Sequence, residues 1–218
     1  MLTVNEIFYS IQGESTRAGE PCVFVRLTAC DLRCSWCDTP YAFHEGRKMS
    51  IDDIMTAVEK HGCRLVEITG GEPLLQEDVY PLMDRLLAAG RTVMLETGGH
   101  RSIDRVPTAV RKIVDVKCPG SGEADRNDWQ NLDRLAPHDE VKFVVKDRAD
   151  YDFARRDRSP PSRVEAERLA VVSRPRRARS EDAVRVDARG SASRAPAAAA
   201  PQIHLVSHDP WRLGPSFS

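Results

Sequence analysis

The stretch that decides the fold is "LTACDLRCSWCDTPYAF", residues 27–43. It places Cys30, Cys34 and Cys37 within eight residues, in the spacing C-x3-C-x2-C. The N-terminal "MLTVNEIFYSIQGES" has no basic start followed by an apolar run, and no segment approaches the roughly 18 apolar residues of a membrane span. We therefore expect a cytoplasmic chain without a membrane partner, whose clustered thiols stay reduced and serve metal or redox chemistry.

Three kinds of site would place thiols this close together. Buried free cysteines are common, but the flanking Asp31, Arg33 and Asp38 make a poor core pattern. A structural zinc site needs four ligands, usually as two separated pairs, and His44 is the near candidate for the fourth. The third kind is a cubane iron–sulfur cluster, which soft thiolates select. With three cysteines, one iron stays open to chelate S-adenosylmethionine (SAM).

Outside this motif the sequence alternates between strand and helix patterns. Strands are predicted at residues 21–29, 64–73, 92–99, 112–122 and 139–147, and helices at 50–62, at 74–90 and from 148. This order predicts an α/β fold with right-handed crossovers and the polar turns at one rim. Each unit of a closed eight-fold barrel takes about 30 residues, so five strands before residue 150 predict a partial (β/α) barrel.

The last third of the chain differs in character. Residues 1–153 carry 19 Lys and Arg against 26 acids, whereas residues 154–218 carry 13 Arg, no Lys and 7 acids. The formal net charge of −1 predicts no nucleic-acid partner. We predict a core of residues 1–153 and an Arg/Ala/Pro/Ser-rich tail of residues 154–218, in which only "AERLAVV" has a helical pattern. The tail is either disordered or the product of a reading-frame change near residue 154 with partial recovery near 201.

Two further features narrow the cysteine motif. Trp36 stands directly before the last cysteine, and "TGGEP" (69–73) follows a predicted strand 32 residues after Cys37. Together they resemble the radical SAM enzymes, which implies a partial barrel of that type. It also implies a 4Fe-4S cluster on Cys30, Cys34 and Cys37, and SAM cleavage to a 5′-deoxyadenosyl radical.

The segments "EIFYSIQGE", "FVRLTACDLRCSWCDT", "TGGEP", "ETGG" and "DVKCPGSG" resemble the 7-carboxy-7-deazaguanine synthase family over residues 5–153. The resemblance implies a carbon–nitrogen lyase of queuosine (7-deazapurine) biosynthesis. Its reaction converts 6-carboxy-5,6,7,8-tetrahydropterin to 7-carboxy-7-deazaguanine with loss of ammonia. Expected cofactors are the 4Fe-4S cluster, SAM and Mg²⁺, with flavodoxin or ferredoxin as the reductant and a homodimer as the assembly.

The same resemblance implies site residues. Those for the pterin are Ile11, Gln12, Gly13, Arg26 and Thr69, with the planar guanidinium of Arg26 suited to pair bidentately with the substrate carboxylate. Those for SAM are Trp36, Cys37, Asp38, Gly71, Glu72, Glu96, Lys117, Cys118 and Pro119. Glu72 and the glycine backbone would meet the methionine ammonium, and Glu96 the ribose. Thr39 would bind Mg²⁺ together with substrate oxygens and waters.

Two alternatives stay open on the sequence alone. A glycyl-radical activating enzyme would share the cysteines and the "GGE" turn, but it would not need "SIQGE" or Arg26. A non-catalytic metal-binding module would explain the cysteines and leave the other motifs as accidental turns.

Overall fold

The computed structural model describes residues 1–156, 169–173, 184–186 and 192–194. Most of the predicted tail, including the recovery expected near residue 201, lies outside the described residues. The choice between a disordered tail and a reading-frame change therefore stays a prediction.

The described part of the chain contains ten strands and four helices. The strands are β1 Leu2–Ile11, β2 Pro21–Leu27, β3 Arg47–Met49, β4 Leu65–Gly70, β5 Thr92–Thr97, β6 Arg111–Val116, β7 Glu140–Val145, β8 Leu169–Ser173, β9 Val184–Val186 and β10 Ala192–Arg194. The helices are α1 Ile51–Glu59, α2 Val79–Ala88, α3 Gln130–Asp133 and α4 Arg148–Arg156.

Eight strands form one sheet in the order β3-β1-β2-β4-β5-β6-β7-β8, and β9 pairs with β10 separately. The run from β2 to β8 is parallel, whereas β1 and β3 are antiparallel to their neighbours. The two end strands of this sheet, β3 and β8, are not neighbours in it, so the barrel is incomplete. The α/β fold with a parallel sheet is thereby confirmed.

The five predicted strands correspond to β2 and β4–β7, and several other described elements differ from expectation. The strands β1, β3, β9 and β10 and the short helix α3 are not among the elements that the sequence predicts. The "AERLAVV" stretch of the tail, expected to be helical, instead contributes β8, which pairs in parallel with β7. A short apolar run with β-branched residues is compatible with either a helix or a strand. Pairing with the open edge of β7 favours the strand.

Helix α1 begins where the sequence predicts, because Ser50 and Asp53 form a capping box. Helix α2 begins at Val79, later than the predicted residue 74, because Pro73–Leu75 form a separate 3-10 turn.

Alternation along the parallel strands separates the core from the site. In β4, Val66 and Ile68 belong to the main apolar core, which also includes residues of α1 and α2. Glu67 and Thr69, on the opposite face, line a cavity. Because side chains of a strand alternate between faces, Glu67 and Thr69 are directed into the barrel.

Candidate functional site

A cavity of about 380 Å³ opens within the barrel, at the carboxyl ends of the parallel strands. Fourteen of the predicted site residues line it: Ile11, Gln12, Gly13, Arg26, Cys30, Cys34, Trp36, Cys37, Asp38, Thr39, Thr69, Gly71, Glu96 and Lys117. The structure does not bring Glu72, Cys118 or Pro119 to the cavity wall. Residues from six strands and their following loops therefore converge, as the parallel arrangement predicts.

The three cysteines of the motif are free and half-buried in this cavity. Burial raises the pKa of Cys30, and the N–H of Leu32, which donates to Cys30 Sγ at 3.4 Å, opposes that rise. Burial also raises the pKa of Cys34, opposed by the nearby Lys117 ammonium. Three reduced thiols on one wall fit a cubane cluster held by three thiolates.

In the part of the chain that the structure describes, no group of three or more His, Cys, Asp or Glu side chains, the three cysteines included, is arranged to hold a single metal ion. His44, the candidate fourth zinc ligand, is exposed and is not part of the cavity wall.

The "GGE" turn after β4 holds the start of the cysteine loop. Gly71 N donates to Leu27 O at 3.1 Å, and Glu72 N donates to Ala29 O at 2.8 Å. A Cβ on Gly71 would lie 2.1 Å from Ala29 O and 2.9 Å from Cys30 Cβ. Glycine is therefore required here by the cysteine loop itself, a reason that differs from the predicted close approach to a ligand.

The carboxylate of Glu72 is fully buried behind the cavity. It accepts hydrogen bonds from Leu74 N at 3.0 Å, Thr97 Oγ1 at 2.9 Å and Gly98 N at 2.8 Å. Glu72 thus joins the turn after β4 to the turn after β5. The buried position of the Glu72 carboxylate does not favour the predicted contact with the methionine ammonium. That contact stays a prediction.

Cys118 and Pro119 lie beside the cavity in the loop after β6. The Cys118 thiol is buried, 3.9 Å from Asp150 O, and Pro119 begins a short 3-10 turn. Asp150, on α4, accepts from Gly120 N at 2.7 Å. Helix α4 therefore fixes the loop that the sequence assigns to SAM.

An ion triad of the buried Lys142 with the half-buried Glu14 and Glu96 lines the cavity, and the sequence patterns did not predict it. Lys142 Nζ lies 2.6 Å from Glu14 Oε2 and 2.5 Å from Glu96 Oε1, and Thr69 Oγ1 donates to Glu96 Oε2 at 3.2 Å. Although burial opposes ionisation, the Lys142 ammonium lowers the pKa of Glu96 to about 2. Burial, together with the charge of Glu96, raises the pKa of Glu14 to about 7. The sequence signal that could have identified Lys142 is its inward position in strand β7.

Two further buried acids face the same space. The Gln12 side-chain amide donates to the Glu67 carboxylate, and Gln12 Oε1 accepts from Glu14 N at 3.0 Å. Burial raises the pKa of Glu67 well above its ordinary value. Asp115 pairs with Lys117 at 2.7 Å, and its carboxylate raises the pKa of Lys117 although burial opposes this.

Arg26 and Thr39 lie on the cavity wall as predicted, but each has a neighbour that the sequence did not suggest. Arg26 Nε donates to Glu6 Oε1 at 2.8 Å, and its guanidinium lies over the Phe8 ring. Thr39 Oγ1 lies 3.9 Å from Cys37 Sγ and makes no capping hydrogen bond to the turn that follows.

With this geometry in hand, comparison with known proteins decides the family. Residues 25–151 match the radical SAM superfamily. The chain is 58% identical over 156 residues to 7-carboxy-7-deazaguanine synthase of Koribacter versatilis, covering 71% of this chain and 69% of the relative. The chain belongs to this family. The synthase of Chlorobaculum tepidum is 46% identical, with 71% of each chain covered. The crystal structure of QueE from Escherichia coli aligns with a TM-score of 0.66 and 26% identity, over 79% of this chain and 84% of that one.

Membership in the 7-carboxy-7-deazaguanine synthase family confirms the radical SAM barrel, the lyase class, and the 4Fe-4S cluster and SAM as cofactors. It does not favour a glycyl-radical activating enzyme or a metal-binding module. A small-molecule substrate and an electron donor are consistent with the family. Among the described residues, no helix is both long and apolar enough to cross a membrane.

Proposed function

We propose that this synthase-family chain converts 6-carboxy-5,6,7,8-tetrahydropterin to 7-carboxy-7-deazaguanine with loss of ammonia. The observation that carries the proposal is the convergence of Cys30, Cys34 and Cys37 with Arg26 and Thr69 on one cavity. When bound, the reduced cluster and SAM supply a radical that removes a hydrogen atom from substrate.

The cavity wall offers groups of both charges. Among the described residues, the wall carries five acids and three bases: Glu14, Asp38, Glu67, Glu96 and Asp115 against Arg26, Lys117 and Lys142. Burial raises the pKa of Glu14 and of Glu67, so the wall carries less negative charge than this count suggests. Acids of the wall suit the sulfonium of SAM and Mg²⁺, whereas its bases suit the substrate carboxylate.

The residues of the chain orient the substrate and exclude water. Arg26 would exchange its partner Glu6 for the substrate carboxylate, since a guanidinium binds carboxylates through two parallel hydrogen bonds. Gln12 is held by Glu67, which fixes the end of β1 where Ile11 and Gly13 line the cavity. By holding the substrate in a fixed geometry, these residues would accelerate the reaction.

Thr39 is proposed to bind Mg²⁺ together with substrate oxygens and waters, since its hydroxyl is not used to cap the turn. We further propose flavodoxin or ferredoxin as the reductant, a homodimer as the assembly and a cytoplasmic location. Residues 1–153 are proposed as the catalytic core.

An anaerobic assay of the full chain tests the reaction. The protein is reconstituted with iron and sulfide and supplied with SAM, dithionite, Mg²⁺ and the carboxytetrahydropterin. We expect 5′-deoxyadenosine and the deazapurine by mass spectrometry, and neither from the Cys34→Ala variant. Deazapurine at wild-type levels from Cys34→Ala would contradict the assignment of the cluster to these cysteines. If the wild type formed 5′-deoxyadenosine without deazapurine, the assignment of the substrate would be wrong.

Arg26→Lys separates substrate binding from SAM cleavage. It keeps the charge but loses the planar fork, so we expect the KM for the pterin to rise about tenfold or more, while cleavage of SAM without substrate is retained. Arg17→Lys is the matched control, because Arg17 pairs with Glu20 outside the cavity. An unchanged KM in Arg26→Lys would contradict the assignment.

A further inference from the structure

The loop that carries Cys30 is fixed on both sides of that residue. On one side Ala29, at a φ of +81°, donates to Ala42 O and accepts from Glu72 N, each at 2.8 Å. On the other side stands Asp31, followed by Leu32. Because a positive φ is costly for alanine, this segment persists only where its surroundings hold it.

Asp31 is held by three side chains from beyond the cysteine loop. His100 Nε2 lies 2.6 Å from Asp31 Oδ1, while Arg101 and Arg126 approach Asp31 Oδ2 at 2.5 and 3.3 Å. The His100 side chain is only 2% exposed, and its Nδ1 lies 3.7 Å from Glu72 Oε2. The imidazole therefore stands between the cysteine loop and the carboxylate that joins the turns after β4 and β5.

Gly98 shows how tightly this junction is packed. A Cβ at Gly98 would lie 3.0 Å from His100 Nδ1, 3.2 Å from Glu72 Oε2 and 3.2 Å from Leu32 Cδ1. Leu32 and His100 therefore both border Gly98, and Asp31, which precedes Leu32, contacts His100 directly.

Leu32 matters because its N–H donates to Cys30 Sγ at 3.4 Å. Hydrogen bonds to cluster sulfurs help to set the reduction potential of iron–sulfur clusters. A donor at the thiolate stabilises the added electron, so losing it makes the cluster harder to reduce.

We propose that Asp31 and His100 form a positioning pair that holds Leu32 N–H against Cys30 Sγ and so raises the reduction potential of the cluster bound there. The inference rests on the cluster of the proposed function, but it does not depend on the pterin. Neither residue touches the reacting atoms. Their role is to fix one donor on one cluster ligand.

The test is a redox titration of the reconstituted full chain, followed by electron paramagnetic resonance without SAM or pterin. Asp31→Ala removes the acceptor for three side chains, Asp31→Asn keeps an acceptor oxygen, and Arg105→Gln breaks an exposed ion pair with Glu77 as the control. At equal iron content, we expect the ratio of reduced to oxidised cluster in Asp31→Ala at a fixed potential to fall about tenfold. This corresponds to a shift of about 59 mV to more negative potential for a one-electron couple. Asp31→Asn should lie between Asp31→Ala and wild type, and Arg105→Gln should match wild type.

Hydrogen exchange on the cluster-free chain gives a second measurement. The peptide that contains Leu32 should exchange faster in Asp31→Ala and in His100→Gln than in wild type, and Arg105→Gln should leave it unchanged. This measurement tests whether Asp31 and His100 hold the Leu32 N–H in place even if Asp31→Ala binds no iron. An unchanged potential at equal iron content, or unchanged exchange at Leu32, overturns the proposal.

The outcomes also separate this inference from the proposed reaction. A shifted potential without deazapurine production by the wild type would reject the reaction and keep the positioning pair. A wild-type chain that binds no cluster would overturn both.

Discussion

At the scale of one residue, the buried Lys142 ammonium compensates the charge of acids in the cavity wall. It lies between Glu14 and Glu96, with its Nζ 2.6 Å from one carboxylate and 2.5 Å from the other. Lys142→Met leaves two acids in a poorly solvated space, so we expect a loss of about 3–5 kcal/mol in the free energy of unfolding. Urea denaturation of the cluster-free chain measures it.

The matched control for Lys142→Met is Arg85→Met, because Arg85 pairs with Asp52 at 2.9 Å on an exposed surface. Removing an exposed pair changes stability by about 0–1 kcal/mol. Similar losses in both variants would show that Lys142 is not compensating buried charge.

Glu14 gives the triad a pH dependence. Burial raises its pKa in the folded chain from 4.5 to about 7, so between these values the folded state keeps a proton that the unfolded state has lost. The contribution of Glu14 is therefore fully present below pH 4.5 and is lost as the pH rises to about 7. By linkage, stability falls over that window by roughly 1–3 kcal/mol.

The Glu14→Gln variant cannot titrate at this position, so its stability should fall less than that of wild type between pH 4.5 and 7. Denaturation of both chains across this range measures the difference. Parallel curves for the two chains would contradict the raised pKa of Glu14.

At the scale of an element, the turn after β4 is predicted to support the cysteine loop by steric fit. A Cβ on Gly71 would meet Ala29 O at 2.1 Å, and backbone cannot yield as a flexible side chain can. We expect Gly71→Ala to lose most of its cluster, measured as iron bound per chain after reconstitution. Gly90→Ala is the control, because Gly90 has a φ of +73° but open space around it.

Backbone strain alone costs Gly90→Ala about 1–2 kcal/mol without touching the loop. It should therefore bind iron as wild type does. Full iron binding by Gly71→Ala would mean that the loop and the turn can separate without loss of the site.

Sequence patterns predicted the parallel elements and the rim at which their polar turns meet, because parallel strands bring their carboxyl ends to one edge. The residues expected at the site came from the family resemblance, and fourteen of them line the cavity. The side-chain partners could not be predicted this way. The turn of Glu72 into the protein, the pairing of Lys142 with Glu14, and the contact of His100 with Asp31 join residues 26 to 128 positions apart. They depend on how the turns pack, which the spacing of motifs does not encode.

At the scale of the whole molecule, strand β8 forms the last edge of the parallel sheet. Strand β8 pairs with β7 in parallel, with Phe143 opposite Val171 and Val144 opposite Val172. The proposed core of residues 1–153 would end before this strand. If β8 belongs to the folded sheet, residues beyond 153 contribute to stability and cover the outer edge of β7, which would otherwise be open to another chain.

Two proline substitutions test β8 with a built-in control. Backbone N–H groups of adjacent strand residues point to opposite sides, so in an edge strand only one of Val171 and Val172 donates towards β7. Of Val171→Pro and Val172→Pro, one should lower the free energy of unfolding by about 1–3 kcal/mol more than the other, because it removes a ladder hydrogen bond as well as restricting the backbone. Urea denaturation of the full chain measures both. Equal effects would show that β8 makes no ladder with β7 in solution, and the catalytic core would then end at the boundary predicted from the change in composition.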